Sequence, residues 1–144
     1  MDKILVGLDA SPRAPAVLAA AVALARAWNA KLVLFRAVGI PLEIPKEAFN
    51  IAPDKTEELL ERLARTELEQ LAKAVPAEVI GEVRVHPGTP WRAICAAAKD
   101  FGADLIVIGS HGYDALDHVL GTTAAKVVNH AGCSVLVVRK PLSA

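Results

Sequence analysis

Aromatic residues make up only 4% of this 144-residue chain, and its formal charge is zero, with 16 basic against 16 acidic residues. So few rings cannot fill a thick interior, whereas an alanine-rich chain can close helices tightly on a flat surface. Zero net charge leaves no electrostatic footprint for nucleic acid or an acidic membrane, and neither is expected as a partner. The two cysteines, Cys95 and Cys133, are too few for a disulfide framework and form no C-x-x-C pair. Each lies among small apolar residues and is expected to be buried. The longest apolar run, Ala14 to Ala25 between Arg13 and Arg26, is well short of the roughly 20 residues that span a bilayer. Met1-Asp2-Lys3 leads directly into an apolar segment, without the regions of a secretory signal, so the cytoplasm is the expected compartment.

Several catalytic signatures are also missing. There is no Gly-x-x-x-x-Gly-Lys-Ser/Thr loop. Gly7-Leu-Asp9 leads into Ser-Pro rather than a G-x-G-x-x-G fingerprint. No G-x-S-x-G elbow occurs, and Ser110 has no evident base partner. His86, His111, His118 and His130 show no metal-ligand spacing. A phosphorylatable Asp after the third strand is lacking, because His86-Pro87-Gly88 stands there. No catalytic residue and no metal ligand is therefore assigned.

What remains is a regular alternation. Lys3 to Leu8 reads as a buried strand. Ser11-Pro12 reads as a cap and first position of a helix, with Pro15 pulling the start later, and that helix runs to about Asn29. Its expected inner face carries Val17, Ala20, Ala21 and Leu24. Lys31 to Val38 is a second strand, and residues 39–53 form a proline-broken loop. Asp54-x-x-Glu57 marks a helix start, with Leu60, Ala64, Leu68, Leu71 and Val75 at helical spacing; lying on a sheet is favoured over a coiled-coil seam. Gly81 to His86 alternates as a third strand, and Thr89-Pro90 opens a helix that stops at Gly102. Asp104 to Ile108 is apolar without alternation, hence a strand covered on both faces. Gly121 or Thr122 opens a last helix ending near Gly132, and Ser134 to Arg139 is the fifth strand. Five strands alternating with four helices predict one α/β domain over 1–144, with a parallel sheet and helices on both faces.

Ligands of such sheets sit beyond the carboxyl ends of the strands, where strand order reverses. Asp9 follows the first strand, Ala37 to Gly39 the second, and Gly109-Ser110-His111-Gly112 the fourth. Gly121-Thr122-Thr123 starts the last helix, offering hydroxyls beside unpaired amides, an arrangement suited to an anion. A neighbouring carboxylate suits ribose hydroxyls, so the pattern is that of a nucleotide site. Each feature also has a plain structural use, because turns favour glycine and Thr122 can cap a helix without any ligand.

These residues resemble the universal stress protein family. Asp9-Ala-Ser11, Gly88, Asp104-Leu-Ile-Val-Ile-Gly-Ser-His-Gly112, the Gly121-Thr122 start and Cys133-Ser-Val-Leu-Val-Val-Arg139 carry the likeness over nearly the whole chain. The resemblance implies strand order 3-2-1-4-5 and a homodimer, here through Val135, Leu136, Val137 and Val138, with the protein partner of the module left open. It implies ATP or AMP across the strand ends, with Mg2+ as an accompanying ion. The implied contacts are Leu8, Asp9, Ala10, Ala37, Val38, Gly109, Ser110, His111, Gly112, Gly121, Thr122 and Thr123. Asp9 would hold the ribose, the backbone at Ala37 and Val38 the adenine edge, and the glycine turns the phosphates.

Two departures stand out: eight residues rather than nine separate Gly112 from Gly121, and Tyr113 occupies a place that is often basic in the nucleotide-binding branch. With Lys126 as the cation noted nearby, phosphate is expected to rest on backbone amides and hydroxyls. Three functions stay open: a nucleotide-binding regulatory module, a nucleotide-free dimeric scaffold, and a slow ATPase.

Overall fold

A computed structural model describes residues 1–39, 53–110 and 120–139. Its elements run β1 (Lys3–Gly7), α1 (Ala14–Trp28), β2 (Lys31–Val38), α2 (Pro53–Ala72), β3 (Ile80–Pro87), α3 (Pro90–Phe101), β4 (Leu105–Gly109), α4 (Thr122–His130) and β5 (Ser134–Val138). The five strands form one sheet in the order β3-β2-β1-β4-β5, and every pairing is parallel. The expected class and strand order are therefore those observed.

Two cores lie on the two faces of the sheet, as period-two strands require. Ile4, Val6, Leu32, Leu34 and Val107 face α1 and α2, meeting Val17, Leu18, Ala21 and Leu68. Leu5, Val33, Phe35, Ile106 and Ile108 face α3 and α4, meeting Ile94, Ala97, Ala98, Ala124 and Val127. β4 has four consecutive buried residues, Leu105 to Ile108, as its unalternating pattern implies. Alanine at the helix contacts lets both layers approach closely, which explains how so few rings suffice.

Several boundaries move, each for a local reason. α1 starts at Ala14, two residues past Pro12 as the Pro15 shift allows, but its cap position is Arg13 rather than Ser11 and makes no side-chain cap bond. The Ala14 amide bonds the Ser11 carbonyl at 3.2 Å, and this turn delays the helix. The buried face of α1 is Ala14, Val17, Leu18, Ala21 and Ala25, so Ala20 and Leu24 flank it rather than centre it. α2 begins at Pro53, one residue before the expected Asp54 cap, and ends at Ala72. α3 starts after Thr89 as expected, although the Thr89 hydroxyl makes no cap bond, and it closes at Gly102 with φ 72°. α4 ends at His130, two residues before Gly132. The β3–α3 turn carries Gly88 at φ 130°, a conformation that favours glycine. The loop expected over 39–53 lies almost wholly outside the described residues, as do Tyr113 and His118. No helix among the described residues is long and apolar enough to cross a membrane.

Candidate functional site

In the order β3-β2-β1-β4-β5 the chain leaves β1 in one direction and returns through β4 in the other, so the sheet reverses between these two strands. A cleft of about 260 Å3 opens there, beyond the strand carboxyl ends. Gly7, Leu8 and Asp9 form one wall, and Ile108, Gly109 and Ser110 the other. Phe35 and Ala37 from β2, Pro90 and Ile94 from α3, and Gly121 to Ala124 from α4 complete it. At Gly7 the packing is close: a Cβ would lie 3.1 Å from Ile108 Cγ2 and 3.3 Å from Ile94 Cδ1, so either side chain would have to shift by a few tenths of an ångström.

The β1 side is closely tied. The Ser11 amide donates to Asp9 Oδ1 at 2.9 Å, and the Arg13 amide donates to Ser11 Oγ at 3.3 Å. This is an Asx-type turn, in which a side-chain acceptor fixes the local backbone and the carboxylate is itself oriented. Beyond the end of the ladder, the Leu8 amide still reaches the Phe35 carbonyl at 2.8 Å.

The β4 side is closed at its base. The Ser110 amide continues the sheet to the Val138 carbonyl at 3.0 Å, and the Ser110 carbonyl accepts the Gly121 amide at 2.8 Å. Gly121, expected to offer its N–H to phosphate, therefore directs it to Ser110. The donors at this end are the first-turn amides of Thr122 and Thr123, which have no acceptor within their own helix. The positive end of the helix dipole adds to them.

Of the expected contacts, the cleft brings together Leu8, Asp9, Ala37, Gly109, Ser110, Gly121, Thr122 and Thr123. Ala10 and Val38 do not line it, and the Val38 carbonyl accepts the Gly88 amide at 3.0 Å. His111 and Gly112 lie outside the described residues. Sequence reasoning missed the apolar floor of Phe35, Ile94 and Ile108, together with Gly7, Pro90, Ala124 and Arg36.

It also undercounted cations. Arg36 lines the cleft, and Arg13 Nη1 approaches Ser110 Oγ at 3.5 Å. The signal for Arg36 was present: it is a charge on the face of β2 otherwise made by Leu32 and Leu34. Lys126 faces the Trp91 ring at 5.6 Å instead.

Elsewhere, Cys95 and Cys133 are half-buried rather than buried, in a groove with Lys99 and His130. Their partial burial pushes both thiols up from the ordinary value. The exposed His130 ring, which bonds the Lys126 carbonyl through Nδ1 at 2.7 Å, packs against Trp91 at 4.5 Å.

An open parallel sheet with a cleft at its reversal point is the doubly wound α/β arrangement. The universal stress protein family model matches residues 1–139. The chain belongs to that family. It is 33% identical to a universal stress protein of Synechocystis sp., covering 95% of this chain and 97% of that protein. Among solved structures it is similar to the universal stress protein UspA from Lactobacillus plantarum, with TM-score 0.75 and 28% identity over 96% of this chain and 97% of that one. It is also similar to a universal stress protein solved in complex with cAMP, with TM-score 0.66 and 27% identity over 96% of each chain.

Proposed function

We propose that this protein is a regulatory module of the cytoplasm that binds an adenine nucleotide, ATP or AMP, across the cleft between β1 and β4. The observation that carries this reading is the convergence of the Asp9 carboxylate and the first-turn amides of α4 on one cleft. The similarity to a family member solved with cAMP supports the same ligand class. In this reading the Thr122 and Thr123 amides hold phosphate, Asp9 holds the ribose, and the adenine lies over Phe35 beside the β2 end at Ala37 and Val38. Asp9 is the carboxylate among the lining residues, so a Mg2+ ion would be carried chiefly by the phosphates.

Calorimetric titration with ATP, ADP and AMP tests the reading. Ligand at 100 times its dissociation constant adds roughly 2.7 kcal/mol to stability, so a melting shift must accompany the heat. No heat and no shift at millimolar nucleotide would sink it.

A nucleotide-free scaffold is the second reading, favoured by the shortened spacing between Gly112 and Gly121 and by the engagement of the Gly121 amide with Ser110. Adenine nucleotide released on denaturing the purified protein would rule it out.

In either reading the module pairs through β5. This strand ends the sheet and leaves Leu136 38% exposed, and an apolar edge is a natural surface for self-pairing about a two-fold axis. Light scattering should show a dimer, and Leu136→Lys should shift it toward monomer. A monomeric wild type would exclude this pairing.

A further inference from the structure

Arg36 occupies a place where the fold alone calls for an aliphatic residue. Leu32 and Leu34 precede it on the face of β2 packed against α1 and α2, and both are fully buried. Arg36 itself is 8% exposed. A guanidinium in such surroundings is costly unless its donors are engaged, and here each of its three nitrogens is. Nε donates to the Leu8 carbonyl at 2.9 Å, and Nη2 donates to the Asp9 carbonyl at 3.1 Å. Nη1 donates to Glu67 Oε2 on α2.

The two carbonyls belong to the residues just past β1, where the paired register with β2 ends at Gly7 opposite Phe35. Leu8 is buried and Asp9 exposed, so the guanidinium grips the chain at the point where it leaves the core and enters the cleft wall. What the guanidinium adds is position. It holds the Asp9 backbone from below, while the Ser11 amide holds Asp9 Oδ1 from the side. The planar fork then leaves the carboxylate a narrow range of directions.

We propose that Arg36 is a positioning residue for Asp9: by clamping the Leu8 and Asp9 carbonyls it aims the carboxylate at ligand hydroxyls, and Glu67 on α2 holds the clamp. This inference rests on the nucleotide reading and deepens it, since the group that Arg36 serves through Asp9 is the ribose cis-diol. Glu67 gives α2 a direct connection to the cleft, but its side chain is 59% exposed, so its contribution is the smaller one.

The test is calorimetric titration of wild type, Arg36→Met, Arg36→Lys and Glu67→Gln with adenosine, 2′-deoxyadenosine and AMP, with thermal melts run alongside. Wild type should prefer adenosine to its deoxy analogue. Arg36→Met should lose that preference and bind adenosine at least tenfold more weakly, while the ratio of AMP to adenosine affinity stays as in wild type. Arg36→Lys, which retains one donor group, should fall between the two, and Glu67→Gln should lie near wild type. If Arg36→Met does not fold, the lysine variant carries the same comparison. A purely structural role would weaken all three ligands alike and preserve the sugar preference, and that outcome overturns the proposal. Undiminished adenosine affinity in a folded Arg36 variant also overturns it. Wild type that binds none of the three ligands is a separate result, because it removes the nucleotide reading itself.

Discussion

The two strand ends that frame the cleft are built in opposite ways. Past β1, the Leu8 amide, the Leu8 and Asp9 carbonyls, Asp9 Oδ1 and Ser11 Oγ all have partners on β2 or within the turn. Past β4, Ser110 is anchored on both sides and buried, and the first residues of α4, Thr122 and Thr123, line the cleft. A carboxylate meeting hydroxyls needs a fixed direction, so the β1 end is over-determined by cross-ties. An anion meeting a helix N-terminus is held by amides whose direction the helix already sets. The first end can therefore be loosened by side-chain changes, and the second only by changes to the backbone.

The largest expected effect removes the floor common to both. Phe35 is fully buried and lines the cleft, and Phe35→Ala should cost about 3–5 kcal/mol of stability in denaturant unfolding. A loss under 1 kcal/mol would mean that the two ends do not share one floor.

Next in size, Thr122→Pro addresses the β4 end alone. Thr122 is the first helical residue after Gly121, whose ψ of 163° suits a residue before proline. The helix should survive, but one donor to phosphate is gone, worth about 1.5–3 kcal/mol for a charged acceptor. ATP should bind tenfold or more weakly by calorimetry while adenosine is unaffected; equal losses for both would place the phosphates elsewhere.

Ser11→Ala addresses the β1 end alone. It removes the acceptor of the Arg13 amide, a change similar to the loss of a helix cap and worth about 1 kcal/mol in thermal unfolding. The ratio of ATP to adenosine affinity should not change.

The smallest effect lies at the opposite end of the sheet. The Asp104 carboxylate accepts the Asp2 amide at 2.8 Å and the Lys3 amide at 3.0 Å, which lowers its pKa below the ordinary carboxylate range. A depressed folded-state value stabilises fully above the unfolded value and is lost as pH falls through the folded one. Melting temperatures of wild type and Asp104→Asn should thus differ slightly at neutral pH and converge in acid. A gap that widens in acid would contradict this assignment.

Elements bounded by strong local signals were legible in the sequence. β2 occupies Lys31–Val38, the run expected, because Asn29 and Gly39 punctuate a largely apolar stretch. α3 falls between Thr89-Pro90 and Gly102 for the same reason. The region of the site was legible as well, since glycines and polar residues cluster after the first and fourth strands. The role of Arg36 was not, because its partners are the carbonyls of Leu8 and Asp9, 28 and 27 residues away. Side-chain periodicity carries no information about backbone acceptors on another strand. The same limit hid the Gly121 amide, whose acceptor is the Ser110 carbonyl.

That last bond has a consequence for length variation. By fastening Ser110 to Gly121 at 2.8 Å, it fixes the two anchor points of the intervening stretch whatever that stretch contains. Closing this loop of ten residues rather than eleven changes the closure entropy by only about 0.1 kcal/mol. A small change of length between these two anchors therefore costs little closure free energy, because the sheet and α4 hold the anchors themselves. The start of α4 is thereby tied directly to the end of β4.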